Sequence, residues 1–241
     1  MKIYAHRGAS GFYPENTMLA FSQALAARSD GIELDVQLSR DGEVVIIHDE
    51  RLDRTTDGSG RVCRYTLAEL RKFNAAGKWN DGAEFHPIPT FDEYCAWVRT
   101  TDLITNIEIK SSVIYYPELE KKTLDAIKAH KIEDRVLISS FNHLSLVETK
   151  RLCPSLPCGV LVPESGLVNA GYATRHFGFE YHHPAYESTD RESVAECHEH
   201  GIGVNVWTVN TMEALENCLA WGCDGIFTNY PKVARSFVDS L

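Results

Sequence analysis

Residues 31–36 read Gly31-Ile32-Glu33-Leu34-Asp35-Val36. Successive side chains of a β-strand point to opposite faces. Glu33 and Asp35 therefore share one face, and Ile32 and Leu34 share the other. The arrangement returns in Ile107-Glu108-Ile109-Lys110, where Glu108 and Lys110 lie together and the two isoleucines point away, toward covering helices. A single acidic residue in a strand is ordinarily a salt-bridge partner. Inward carboxylates on two strands are costly to bury unless they are paired or bound to a cation. Three of them aimed into one barrel mouth suit a hard divalent ion.

Outward from these two strands, β-rich runs alternate with helical stretches of ~10–15 residues. Strands are expected at Lys2–Ala5, Gly31–Val36, Leu103–Ile109, Arg135–Ser139, Cys158–Val162, Gly178–His182, Gly203–Thr208 and Gly225–Phe227. Helices are expected at Glu15–Arg28, Pro117–His130, Asn142–Leu152, Leu167–His176, Asp190–His200, Met212–Ala220 and Pro231–Val238. Pro14, just before the first, fits a helix start. This repetition predicts one α/β domain over 1–241, a (β/α)8 TIM barrel. Two pieces do not fit a plain barrel. One is the hairpin-like Val36–His48; the other is Glu50–Pro89, rich in Asp, Gly and Thr, with one short helix near Leu67–Phe73. The latter reads as a small rim insertion after the second strand, about 50–89.

The chain has 241 residues, 44% of them hydrophobic, enough to fill such a core. Its net charge of -10 argues against nucleic acid or an anionic membrane as the main partner. A small anionic substrate stays compatible, because a metal and a few cations can reverse the field inside one pocket. No stretch approaches the ~20 apolar residues needed to span a bilayer. His6-Arg7-Gly8 stands so near the start that removal of a signal peptide of ~15–30 residues would take it away, so a cytoplasmic protein is expected. The seven cysteines form no CxxC pair and read as reduced, space-filling thiols rather than a zinc site.

Polar residues collect where strands should end: His6-Arg7-Gly8, Glu33 with Asp35, Glu108 with Lys110, and Trp207-Thr208-Val209-Asn210. Asp41-Gly42 is a strong two-residue turn signal. Such a turn sets Asp35 opposite His48, about 5 Å away at Cβ, provided the hairpin carries no bulge. Lone histidines such as His86 and His143 are ordinarily structural. His182 and His183 are adjacent in a strand and face opposite sides, which disfavours a metal pair.

Taken together and in order, these segments resemble the glycerophosphodiester phosphodiesterase family. The resemblance rests on His6-Arg7-Gly8, Pro14-Glu15-Asn16-Thr17, Glu33-Leu34-Asp35-Val36, His48-Asp49 and Leu52-Asp53-Arg54-Thr55-Thr56-Asp57-Gly58. It continues through Ile107-Glu108-Ile109-Lys110, Ser140-Phe141, Val204 to Asn210, and Asp224 to Pro231. It implies a barrel with an insertion after the second strand. It also implies hydrolysis of diesters such as glycerophosphocholine or glycerophosphoethanolamine to sn-glycerol 3-phosphate and an alcohol. By the same resemblance His6 and His48 are the acid–base pair, and Glu33, Asp35 and Glu108 hold one Mg²⁺ or Ca²⁺. Arg7 and Lys110 contact the phosphate, and Phe141 and Trp207 line the alcohol side. His6 as base with His48 as acid is one ordering and the reverse is another; water or the neighbouring glycerol hydroxyl can be the attacker. A lysophospholipase D or phospholipase C-like lipid phosphodiesterase on the same barrel is the alternative, with Ile114-Tyr115-Tyr116 as apolar residues on the expected rim.

Overall fold

The computed structural model describes residues 1–79 and 84–241; part of the expected insertion, residues 80–83, lies outside them. Eight parallel strands close into a barrel: β1 (Lys2–His6), β2 (Gly31–Leu38), β4 (Ile104–Ile109), β5 (Val136–Ser140), β6 (Cys158–Leu161), β7 (Tyr181–His183), β8 (Gly203–Val206) and β9 (Gly225–Thr228). Closure is made by β1, which pairs with both β9 and β2. The short β3 (Val44–Ile46) pairs antiparallel with the far end of β2. Around the barrel lie α1 (Met18–Ala26), α3 (Phe91–Val98), α4 (Leu119–His130), α5 (His143–Leu152), α6 (Ala170–His176), α7 (Arg191–Glu199), α8 (Met212–Trp221) and α9 (Pro231–Val238), while α2 (Leu67–Leu70) belongs to the rim segment.

The two-faced reading of the strands holds. Ile32, Leu34, Ile107 and Ile109 are buried in the apolar layer beneath the helices. Ile3, Val204, Val206 and Ile226 do the same on the other side of the barrel. Inside the tube Tyr4, Leu137 and Phe227 fill the lower interior. Tyr4 and His183 each sit against the Phe227 ring, at centroid distances of 5.2 and 5.1 Å. All seven thiols are free, with Cys95, Cys158, Cys197, Cys218 and Cys223 buried. His182 and His183 do face opposite ways: His183 points inward, its Nε2 3.0 Å from Asn205 Nδ2.

Three expectations need correction. The first helix starts at Met18 rather than Glu15, because Thr17 is its cap and accepts from the Ala20 N–H. Pro14 stands in the preceding loop, where its carbonyl accepts from the Thr17 hydroxyl, and Asn16 is left-handed at φ 54. Second, β2 has a helix of its own, α3, in a stretch where none was expected. Its start carries a Thr90–Glu93 capping box. Its apolar stripe of Phe91, Tyr94, Cys95 and Val98 is buried, with Tyr94 edge-on to Phe21 at 5.0 Å. Third, the hairpin is offset by one residue. Val36 pairs with Ile46, Gln37 with Val45 and Leu38 with Val44, so Ile47, not His48, follows opposite Asp35. The loop has three residues: Gly42 N–H donates to Ser39 O at 3.0 Å and Ser39 N–H to Glu43 O at 2.9 Å. Gly42, at φ 81, takes the bulge position rather than the second place of a two-residue turn.

The segment after β3 builds a small apolar cluster from Val45, Ile47, Leu52, Val62, Leu70, Ala75 and Ile88. It returns beside β3, where the Ile46 N–H donates to Pro89 O at 2.9 Å.

Arg7 and Gly8 are both left-handed, at φ 56 and 82, and turn the chain sharply off β1. A Cβ on Gly8 would stand 2.7 Å from the backbone carbon of Ala20. Gly8→Ala thus combines an unfavourable conformation with overpacking against backbone, together about 3 kcal/mol. The melting temperature, followed by calorimetry, is expected to fall by about 6–12 °C.

Candidate active site

Strand register assembles the site. In β1 and β2, His6 lies beside Glu33; in β2 and β4, Asp35 lies beside Glu108. Parallel neighbours share a face, so one layer carries His6 and Glu33 and the next carries Asp35 and Glu108. Glu33, Asp35 and Glu108 each offer an oxygen within 4.8 Å of the others, and all three residues are buried. His6 Nε2 stands 4.0 Å from Glu33 Oε2. Lys110, one residue beyond β4, donates to Glu108 Oε1 at 3.0 Å and lies 4.0 Å from Asp35 Oδ1. Arg7 donates through its backbone N–H to Glu33 Oε2 at 2.9 Å, and its Nε is 3.6 Å from Asp35 Oδ2.

His48 reaches the same place by a route that strand alternation does not supply. The face of Ile46 belongs to the helix layer, and continued alternation would turn His48 that way. Instead Gln37 Nε2 donates to the carbonyls of Ile47, His48 and Asp49 at 2.9, 3.0 and 2.8 Å, bending the chain off the strand. Tyr116 OH donates to Gln37 Oε1 at 3.0 Å, so Tyr116 is buried in this support while Tyr115 is exposed. His48 Nε2 ends 3.2 Å from Lys110 Nζ, and its Nδ1 is 2.6 Å from Asp49 Oδ1.

His6, Arg7, Glu33, His48, Glu108 and Lys110 line a cavity of about 320 Å³ with Asn106, Ser139, Phe141, Leu161, Trp207 and Phe227. Phe141 and Trp207 meet edge to face at 5.6 Å, and Trp207 Nε1 donates to His183 O at 2.9 Å.

The family model of the glycerophosphoryl diester phosphodiesterase family matches residues 6–233. The chain belongs to that family. It is 41% identical over 98% of its length to a glycerophosphodiester phosphodiesterase of Caldanaerobacter subterraneus subsp. tengcongensis, covering 97% of that protein. A glycerophosphodiester phosphodiesterase of Bacillus altitudinis is 39% identical, with 97% of this chain and 96% of the relative aligned. Among solved structures, an Oleispira antarctica phosphodiesterase in complex with the product sn-glycerol-3-phosphate superposes with TM-score 0.90 at 30% identity, over 99% of this chain and 97% of that one. The protein is thus an enzyme of the glycerophosphodiester phosphodiesterase type on a closed parallel barrel.

The electrostatics of the phosphodiesterase site follow from crowding carboxylates in a dry place. Burial, then the neighbouring Asp35 and Glu108 charges, push the Glu33 carboxyl well above its ordinary range. Burial also raises Glu108, partly offset by Lys110. Burial pushes Asp35 upward too, yet His48, Arg7, Lys110 and the Asn16 hydrogen bond outweigh it and hold the carboxyl below its ordinary range. Burial, then the Arg7 charge, push the His6 imidazole down to about 4. The Asp35 Oδ1 atom is buried and accepts no hydrogen bond.

Four supporting residues of this phosphodiesterase complete the site. Asn229 Oδ1 lies 2.6 Å from His6 Nδ1; it directly follows β9, so its place at a strand end was the available signal. Asn16 Nδ2 donates to Asp35 Oδ2 at 2.8 Å. Gln37 shares the inward face with Glu33 and Asp35. Arg54 contacts both Glu15 and Asp49, a tertiary arrangement with no local sequence signal. Among the described residues no helix is long and apolar enough to cross a membrane.

Proposed function

We propose that this enzyme hydrolyses small glycerophosphodiesters to sn-glycerol 3-phosphate and an alcohol, with one divalent ion and a histidine pair. The observation that carries the proposal is the buried trio Glu33, Asp35 and Glu108 beside His6 and His48. The donor set is all oxygen, which fits Mg²⁺ or Ca²⁺. Asp35 Oδ1, buried without a hydrogen bond, is the kind of atom that an ion would satisfy. Three carboxylates crowded in one buried place disfavour a phosphodiester anion beside them, and a divalent ion offsets their charge.

When bound, the ion would supply charge stabilisation to the phosphoryl oxygens. The rest falls to the chain. Arg7 and Lys110 hold the phosphate through its non-bridging oxygens, where charge grows in the transition state. Asn229 Oδ1 also accepts from Ser10 Oγ at 3.1 Å; an amide oxygen only accepts, so His6 Nδ1 carries the proton and Nε2 presents its lone pair. That tautomer fits a general base that takes the proton of the attacking oxygen. His48 Nδ1 faces the Asp49 carboxylate at 2.6 Å, so Nε2 is the ring nitrogen that would give a proton to the leaving alkoxide. Phe141 and Trp207 border the alcohol side. Glycerophosphocholine and glycerophosphoethanolamine suit a cavity of this size, and reduced thiols fit a cytoplasmic setting.

Release of sn-glycerol 3-phosphate from glycerophosphocholine tests the proposal. Activity is expected to disappear after chelation and to return with Mg²⁺ or Ca²⁺; full activity in the chelated enzyme would refute the metal assignment.

A second reading, the same chemistry on a diester bearing one acyl chain, is favoured by an apolar groove on the far side of Phe141. Leu144, Val147, Leu167, Phe177 and Phe179 line it, and its volume is about 320 Å³. Turnover of a lysophospholipid at a rate comparable to glycerophosphocholine would support that reading, and its complete resistance would remove it.

A further inference from the structure

We infer that Arg54, from the rim segment, is a positioning residue that clamps Asp49 and Glu15 together and so fixes the orientation of His48 for proton donation. The inference rests on the acid role of His48 proposed above. Arg54 Nε and Nη2 donate to the two Asp49 oxygens at 2.7 and 2.9 Å. Its Nη1 and Nη2 donate to the two Glu15 oxygens at 2.8 and 2.7 Å. The planar guanidinium is thereby used on two sides at once, a geometry a lysine ammonium does not reproduce. Glu15 in turn accepts from Arg7 Nη1 at 2.9 Å, and Asp49 faces His48 Nδ1 at 2.6 Å. One continuous chain of charge-assisted hydrogen bonds therefore runs from the phosphate-facing Arg7 to His48. It joins the loop after β1 to the segment after β3.

The clamp matters because, among the described residues, Arg54 is the group that directs Asp49 from outside the His48 pair. The backbone at 47–49 is gripped by Gln37, and the Asp49 side chain is 29% exposed. A free carboxylate there has several rotamers; the Arg54 fork selects the one that accepts the Nδ1–H hydrogen bond. With Nδ1–H donated to Asp49, Nε2 is the nitrogen on the cavity side, 3.2 Å from Lys110 Nζ; it carries the acid proton when the Lys110 ammonium turns to the phosphate. As the bond from phosphorus to the leaving oxygen breaks, its electron pair stays on that oxygen and the Nε2 proton moves to it. His48 is left neutral, with Nδ1–H still on Asp49. Arg54 itself is 46% exposed, so solvent screens these pairs and limits their contribution to stability; the clamp acts chiefly on catalytic geometry.

The test compares two diesters of glycerol 3-phosphate, the choline ester and the 4-nitrophenyl ester. Nitrophenolate departs without a proton, so only the choline ester needs the acid. In Arg54→Ala, kcat on the choline ester is expected to fall roughly ten- to a hundredfold, the scale of an outer partner that orients a histidine. KM on that ester and kcat on the nitrophenyl ester are expected to stay within about threefold, and the melting temperature within about 3 °C. Arg54→Lys, a safer variant for folding, should show the same selective loss to a smaller degree. Asp49→Asn should match Arg54→Ala in selectivity, and the double variant should lose no more than Asp49→Asn alone, because both act through one imidazole. Equal losses on the two esters, or no loss on the choline ester, would overturn the clamp. His48→Ala separates the clamp from the acid role it serves. If it loses the choline ester selectively and Arg54→Ala does not, the clamp is wrong and the acid assignment stands. If it loses both esters equally, the acid assignment falls and the clamp with it.

Discussion

Glu108→Gln is expected to lower kcat/KM for glycerophosphocholine by roughly a thousandfold, equivalent to about 4 kcal/mol of transition-state stabilisation. Glutamine keeps the volume of the side chain and can still accept from Lys110 Nζ, which lies 3.0 Å from the native carboxylate. The barrel is thus left intact while one of three buried anionic donors disappears. Losing it weakens the hold on a divalent ion and misplaces what remains. A second readout is independent of turnover. An ion that binds only the native state raises the melting temperature with concentration, so saturating Mg²⁺ or Ca²⁺ should shift the wild type upward. The same ion should shift Glu108→Gln much less. Near wild-type activity together with a wild-type thermal shift would show that the ion, if bound, sits elsewhere.

His6→Ala is expected to reduce kcat by roughly 10²–10⁴, the usual contribution of a positioned acid or base. The loss should be of similar size on choline and nitrophenyl esters, since activation of the attacking oxygen precedes the departure of either group. His6 is held by Asn229 at 2.6 Å and sits between Arg7 and Glu33, so its ring cannot turn Nε2 away without breaking that bond. Steady-state kinetics on the two esters check the point, and retention of most of the turnover on both would remove His6 from the reaction. The contrast with the selective loss at His48 is what assigns the two imidazoles to opposite ends of the reaction.

The barrel is legible in the sequence because its signals are local. Alternation within β2 and β4 is enough to put Glu33, Asp35 and Glu108 on inward faces, and parallel register brings those faces together. What escapes has a physical reason in each case. Asp41-Gly42 is compatible with a two-residue turn and with a three-residue loop closed by a bulge at the glycine; only the opposing strand decides, and it favours the second. Because of that shift, His48 arrives at the site through the Gln37 grip rather than across the ladder. The expected neighbour is right for a mistaken reason. The start of α1 is suggested by Pro14, but Asn16 takes a left-handed conformation that interrupts a helix there, and Thr17 caps instead. Helix α3 carries both a capping box and an apolar stripe, yet it adjoins a segment whose Asp, Gly and Thr content reads as irregular rim. Asn229 and Arg54 act across long stretches of chain, so their partners become visible only after folding.

The aromatic floor of the barrel has a consequence for traffic. Tyr4, Leu137 and Phe227 close the tube below the site, which makes the pocket a cul-de-sac open toward the strand ends. Whatever enters must back out the way it came, past Phe141 and Trp207. In the binding mode proposed above, the freed alcohol would lie nearer the threshold and the phosphate product deeper, against Arg7 and Lys110. On that binding mode the next diester would wait until the phosphate product has left. The queue is imposed by the dead end itself, whatever the speed of bond breaking.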